Sequence, residues 1–96
     1  KAETPRLTRR TDGKIAVSWD KAAGETTVVY YRLFLRRFDT SGRMQDRLVA
    51  DRIEDNSYLL PKELTVGATR IEVRLQAINK MNVAGPVSAS SSMEIK

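Results

Sequence analysis

Lys14-Ile15-Ala16-Val17-Ser18-Trp19-Asp20 decides the fold class. Its large apolar residues stand at the odd positions Ile15, Val17 and Trp19, with Lys14, Ser18 and Asp20 between them. A period of two places the odd set on one face and the even set on the other, as in a strand half buried in a sheet. The pattern recurs further along the chain. Tyr31, Leu33 and Leu35 alternate with Arg32, Phe34 and Arg36, and Ile71, Val73, Leu75 and Ala77 alternate with Glu72, Arg74, Gln76 and Ile78. These runs are rich in the β-branched and aromatic side chains that fit a pleated surface. Weaker strand signals lie at residues 6–9, 47–52, 57–60 and 87–95.

Turn chemistry separates the strands. Thr11-Asp12-Gly13 reads as a tight turn, Ala22-Ala23-Gly24-Glu25 as a loop, and Asp39-Thr40-Ser41-Gly42 as a hairpin turn. Glu54-Asp55-Asn56-Ser57 reads as a polar corner, and residues 79–86 as a longer loop closed by Gly85-Pro86. The only helical signal, around Lys62-Glu63-Leu64, is a few residues long. Short strands with turn signals every 8–12 residues, over about 100 residues, predict a two-sheet antiparallel sandwich. The predicted core is Leu7, Ile15, Val17, Trp19, Tyr31, Leu33, Leu35, Leu60, Leu64, Ile71, Val73, Leu75 and Ala77.

Composition then removes whole classes of function. The 96 residues suit one domain, and 17 Lys+Arg against 12 Asp+Glu give a net charge of +5. There is no Cys, hence no disulfide, thiol nucleophile or thiolate metal site. There is no His, so the commonest metal ligand and general base is missing. No run of 18 apolar residues suggests a membrane span. Serines have no His to activate them, and the five glycines form no phosphate-binding loop. Glu54-Asp55 is the one adjacent carboxylate pair and sits in a polar turn. With Asp51 it matches no calcium-loop spacing. The sequence therefore predicts a non-enzyme without metal or cofactor.

The same residues resemble the fibronectin type III family over nearly the whole chain. Pro5-Arg6-Leu7 resembles its strand A, and Ile15-x-Val17-x-Trp19-Asp20 its strand B with the core tryptophan. Tyr31-Arg32-Leu33-x-Leu35 resembles strand C, and Tyr58-x-Leu60 with Leu64 resembles strand E and the leucine after it. Val73-x-Leu75-x-Ala77-x-Asn79 followed by Gly85-Pro86-x-Ser88 is similar to strand F, the F–G loop and the start of strand G. Two features depart from the family. Ile71 stands where a corner tyrosine is usual, and Leu64-Thr65-Val66-Gly67 replaces the Leu-x-Pro-Gly turn with one extra residue before Ile71. The resemblance implies seven strands in sheets A-B-E and C-C′-F-G. It also implies a non-catalytic spacer or protein-interaction module. Because the chain starts at Lys1 rather than Met, residues 1–96 are read as a single domain excised from a larger multidomain protein. Compartment stays open, leaning to extracellular or cell-surface.

Two places could carry recognition. If Tyr31, Leu33 and Leu35 point inward, then Tyr30, Arg32, Phe34, Arg36 and Phe38 point outward, and Glu72, Arg74, Gln76 and Ile78 share that face from strand F. Arg beside aromatic rings is favoured at binding hot spots. Such a face also serves simply as a solvated sheet surface, with Arg stems covering aromatic rings. The second place is the F–G tip, Lys80, Met81, Asn82 and Val83, which emerges beside the B–C loop at residues 21–27. It carries no Arg-Gly-Asp tripeptide. The expected partners are neighbouring domains of the same chain or a protein ligand; the alternative is an adhesion or recognition domain that takes a protein or a polyanionic partner through this face or the F–G tip. Nucleic acid is disfavoured, because the basic doublets Arg9-Arg10 and Arg36-Arg37 are scattered and followed closely by acids.

Overall fold

The computed structural model describes residues 4–11, 14–20 and 28–95. The strands are β1 (Arg6–Arg9), β2 (Ile15–Ser18), β3 (Val28–Asp39), β4 (Met44–Ile53), β5 (Ser57–Leu60), β6 (Ala68–Asn79), β7 (Ala84–Val87) and β8 (Ser91–Glu94). A single 3-10 turn, Lys62–Leu64, joins β5 to β6. One sheet has the order β1-β2-β5; the other has the order β4-β3-β6-β7, with β8 also paired to β6. Every pairing is antiparallel. This is the predicted A-B-E and C-C′-F-G sandwich with one strand more. The turn centred on Asp12 and Gly13 and the loop at 21–27 lie outside the described residues.

The extra strand arises because the predicted strand at 87–95 is broken at Ser88. The Ser88 N–H donates to Leu75 O at 2.7 Å. The Leu75 N–H donates to Ser88 Oγ at 2.9 Å, and the same hydroxyl donates to Ala89 O at 2.9 Å. A side chain thus takes the place of a main-chain acceptor, and the ladder to β6 divides into β7 and β8. Ser88 is the buried polar residue among the described ones. The segment expected as a loop is correspondingly shorter, since Gly85-Pro86 lies within β7.

The core fills the space between the sheets, as period two predicts. Ile15, Val17 and Trp19 come from the small sheet's side, and Tyr31, Leu33, Leu35, Ile71, Val73, Leu75 and Ala77 from the large one. Trp19 meets Tyr31 edge to face, with centroids 5.4 Å apart and planes at 63°. Asn56 fixes the tryptophan's backbone from the opposite strand end: its carbonyl accepts the Trp19 N–H at 3.0 Å, and its amide donates to Trp19 O at 3.3 Å. Two predicted core residues are only half-buried. Leu7 sits on the edge strand of the small sheet and Leu64 on the 3-10 turn, so each is packed on one side. Ile53 and Ala68 belong to the core although neither was predicted there.

The corner between β5 and β6 is built without the usual tyrosine. Ile71 is fully enclosed and belongs to the core. The corner is held instead by Arg37, whose guanidinium donates to Val66 O. Backbone bonds from Leu64 to Pro61, from Thr65 and Val66 to Lys62, and from Ala68 to Thr65 wind the rest. Gly67 closes it at φ +80°, and a Cβ there would lie 3.0 Å from the Arg37 guanidinium. Gly67→Ala should therefore cost about 1–2 kcal/mol from the left-handed backbone alone. Urea unfolding checks this. An unchanged midpoint would mean the corner does not need that conformation.

Candidate functional site

The register between β3 and β6 aligns the outer face of the large sheet into rows. Phe38 lies opposite Arg70, Arg36 opposite Glu72, Phe34 opposite Arg74, Arg32 opposite Gln76, and Tyr30 opposite Ile78. β4 extends three rows, with Met44 beside Phe38, Asp46 beside Arg36 and Leu48 beside Phe34. β8 adds Glu94 and Ser92 at one end, and β7 adds Val87 and Ala84 at the other. Arg32, Phe34, Arg36 and Arg74 are thus brought together as predicted, all half-buried.

The rows differ in charge balance. At the corner end, the Arg70 guanidinium lies 4.3 Å from the Phe38 ring centre and 3.2 Å from Glu72. Arg36 donates from Nε to Asp46 at 2.9 Å and approaches Glu72 at 3.8 Å. That hydrogen bond, and then the charge of Asp46, raises the Arg36 pKa above its ordinary value. In the middle rows the balance is missing. Arg74 lies 6.0 Å from the Phe34 ring centre, and Arg32 reaches only the side-chain oxygen of Gln76, at 3.5 Å. Neither has a carboxylate partner among the described residues. Around them Leu48 is 47% exposed and Val87 38%.

The last row departs from the prediction. Tyr30 and Ile78 point to the outer face yet are buried, with Ile78 only 1% exposed. The Arg52 guanidinium covers the Tyr30 ring at 4.6 Å, and the Tyr30 hydroxyl donates to Asn82 Oδ1 at 3.0 Å. These two residues form a small second core and are not available as a contact surface.

The tip, residues 80–83, is a tight hairpin. The Asn79 N–H donates to Val83 O at 3.1 Å, and Asn79 Oδ1 accepts the N–H groups of Met81 and Val83 at 2.9 and 3.0 Å. Asn82 takes a left-handed φ of 61°, which Asn tolerates. Met81 and Val83 are open to solvent at 71% and 57%. Asn82 is tied back to Tyr30, so the tip is braced against β3.

At the opposite pole a cleft of about 400 Å³ opens between the sheets, lined by Arg9, Ile15, Lys62, Val66, Thr69 and Ile95 among others. No carboxylate among the described residues lines it. Among the described residues no three of His, Cys, Asp or Glu gather as metal ligands would.

Solved structures share this fold. A crystal structure of an Fn3-like protein from Clostridium thermocellum superposes with a TM-score of 0.71 at 17% identity, over 99% of this chain and 91% of that one. The sixth fibronectin type III domain of human fibronectin type III domain containing protein 3 superposes at 0.68 and 23% identity, over 98% and 82%. The third fibronectin III domain of the human KIAA0343 protein superposes at 0.69 and 14% identity, over 95% and 77%. The fold is fibronectin type III-like. No protein-family model and no curated protein sequence matches this chain.

In this fibronectin type III-like frame the turn joining β3 to β4 is set by Asp39. Its carboxylate accepts from the Ser41 hydroxyl at 2.7 Å and from the N–H groups of Ser41 and Arg43, each at 2.9 Å. The Ser41 hydroxyl is the largest influence, and together these bonds hold the Asp39 pKa below its usual value. A carboxylate with a depressed folded pKa contributes stability above its unfolded value of about 3.9 and loses it as pH falls through the folded value. The advantage of wild type over Asp39→Ala should therefore be present at neutral pH and shrink in acid. Urea midpoints at the two pH values test this, and an advantage that grows in acid would contradict it.

Proposed function

We propose that this domain is a non-catalytic module of a multidomain chain, a spacer that also presents a contact surface to neighbouring domains or a protein partner. The observation that carries this is the path of the chain. β1 runs alongside β8, with Ser91 donating to Pro5 O and Arg9 donating to Glu94 O. β8 runs back along β6 toward Thr69, where the Ile95 N–H donates to Thr69 O. β1 and β8 thus both run toward the cleft pole, in a body measuring 42 × 27 × 18 Å. A first strand that runs toward the pole where the last strand ends suits beads joined in a line. The lack of converging acids among the described residues of the cleft supports a role other than catalysis.

Small-angle X-ray scattering of this domain joined to its flanking domains tests the spacer reading. The expected centre-to-centre step is close to the 42 Å long axis. A step close to the 18 or 27 Å axes would mean side-by-side packing and would overturn it.

A further inference from the structure

We infer that the middle rows of the outer face form a recognition site for an acidic, partly apolar segment of a protein partner. The inference rests on the module reading above but not on its spacer geometry. Arg36, Arg52 and Arg70 on this outer face are paired with Asp46, Glu54 and Glu72. Arg32 and Arg74 are left without a carboxylate among the described residues, and they stand side by side.

Their spacing defines what fits. Arg74 lies directly opposite Phe34, and Arg32 is two residues before Phe34 on the same strand. The two arginines are therefore diagonal neighbours, with Cβ atoms about 7–8 Å apart. An extended segment repeats its side chains on one face about every 6.5–7 Å. Carboxylates at positions i and i+2 of such a segment match the pair. Guanidinium binds carboxylate through paired N–H donors, which gives direction as well as attraction.

The apolar part of the ligand follows from the neighbours. Phe34 is half-buried beside Arg74, and Leu48 adjoins it from β4 with nearly half its surface open. Val87 flanks Gln76 from β7. An apolar side chain reaches Phe34 and Leu48 where the segment turns toward β4 after the second acid. A polysaccharide could use the arginines but has no apolar side chain to place there, so the apolar floor favours a peptide. The break at Ser88 leaves no β7 or β8 residue paired opposite Arg74.

The probe is the synthetic peptide Asp-Ser-Asp-Ser-Leu-Ser-Leu, titrated into the isotope-labelled domain and followed by NMR. Amide shifts should concentrate on Arg32, Phe34, Leu48 and Arg74. Arg32→Gln and Arg74→Gln should each raise Kd about tenfold, and Leu48→Ser should raise it several-fold. Arg47→Gln, which removes the same charge from the neighbouring edge position, should leave Kd within twofold. The inference is overturned if Arg47→Gln weakens binding as much as Arg74→Gln, or if the Asn-for-Asp peptide binds equally well. It is also overturned if a heparin tetrasaccharide binds these residues more tightly than the peptide and is indifferent to Leu48→Ser, or if no shift appears on the face. The scattering step is measured separately, so failure here and failure of the spacer reading are told apart.

Discussion

Trp19→Ala should remove about 3–5 kcal/mol of folding stability, much of the roughly 5–15 kcal/mol that holds a typical domain together. Trp19 is 2% exposed, packs edge-on against Tyr31, and sits among the aliphatic residues of both sheets. Truncation removes its burial and leaves a cavity that the flanking strands cannot fill. Trp19→Phe should cost clearly less. The indole Nε1–H is buried and has no hydrogen-bond partner among the described residues, so its removal breaks no bond and relieves a desolvated donor. Urea unfolding of the two variants measures the contrast. Equal losses would mean that the indole N–H contributes to stability after all.

Ser88→Ala should cost about 1–3 kcal/mol, because it strands a buried donor. The Leu75 N–H has the Ser88 hydroxyl as its acceptor, and Leu75 is fully enclosed. Ser92→Ala is the matched control: Ser92 lies on the open outer face of β8 and should change stability by no more than about 0.5 kcal/mol. For a domain of this size, 1 kcal/mol shifts Tm by roughly 4–8 °C, so thermal melts separate the pair. Similar melts would show that water replaces the hydroxyl and that the strand break is not held by it.

The two sites show how far local pattern reaches. Strand parity placed Arg32, Phe34, Arg36 and Arg74 on one face, because side chains on a strand alternate whatever surrounds the sheet. It also put Tyr30 and Ile78 on that face, where the register agrees, but they are covered. Arg52 reaches them from β4 and Asn82 from the hairpin tip, contacts made across 22 and 52 residues of chain from Tyr30. The corner is similar. The missing tyrosine is visible at Ile71, but its substitute, Arg37, lies 29 residues from the carbonyl it holds. Which arginines lack a carboxylate could not be read either, since that depends on the alignment of β4, β3 and β6.

What the sequence by itself determined is therefore the sandwich and the lack of Cys and His chemistry. Period two, turn residues, and the absence of Cys and His are local or compositional properties, and they carry their consequences into any arrangement of the strands. The tertiary structure alone decided which outward residues stay outward, where strand G breaks, and where two guanidiniums of the outer face are left without a carboxylate among the described residues. Those outcomes depend on distances between residues far apart in the chain. The net charge of +5 shows the difference. As a total it says only that the chain is basic; only the packed sheet shows which of its charges are already paired and which are still open to a partner.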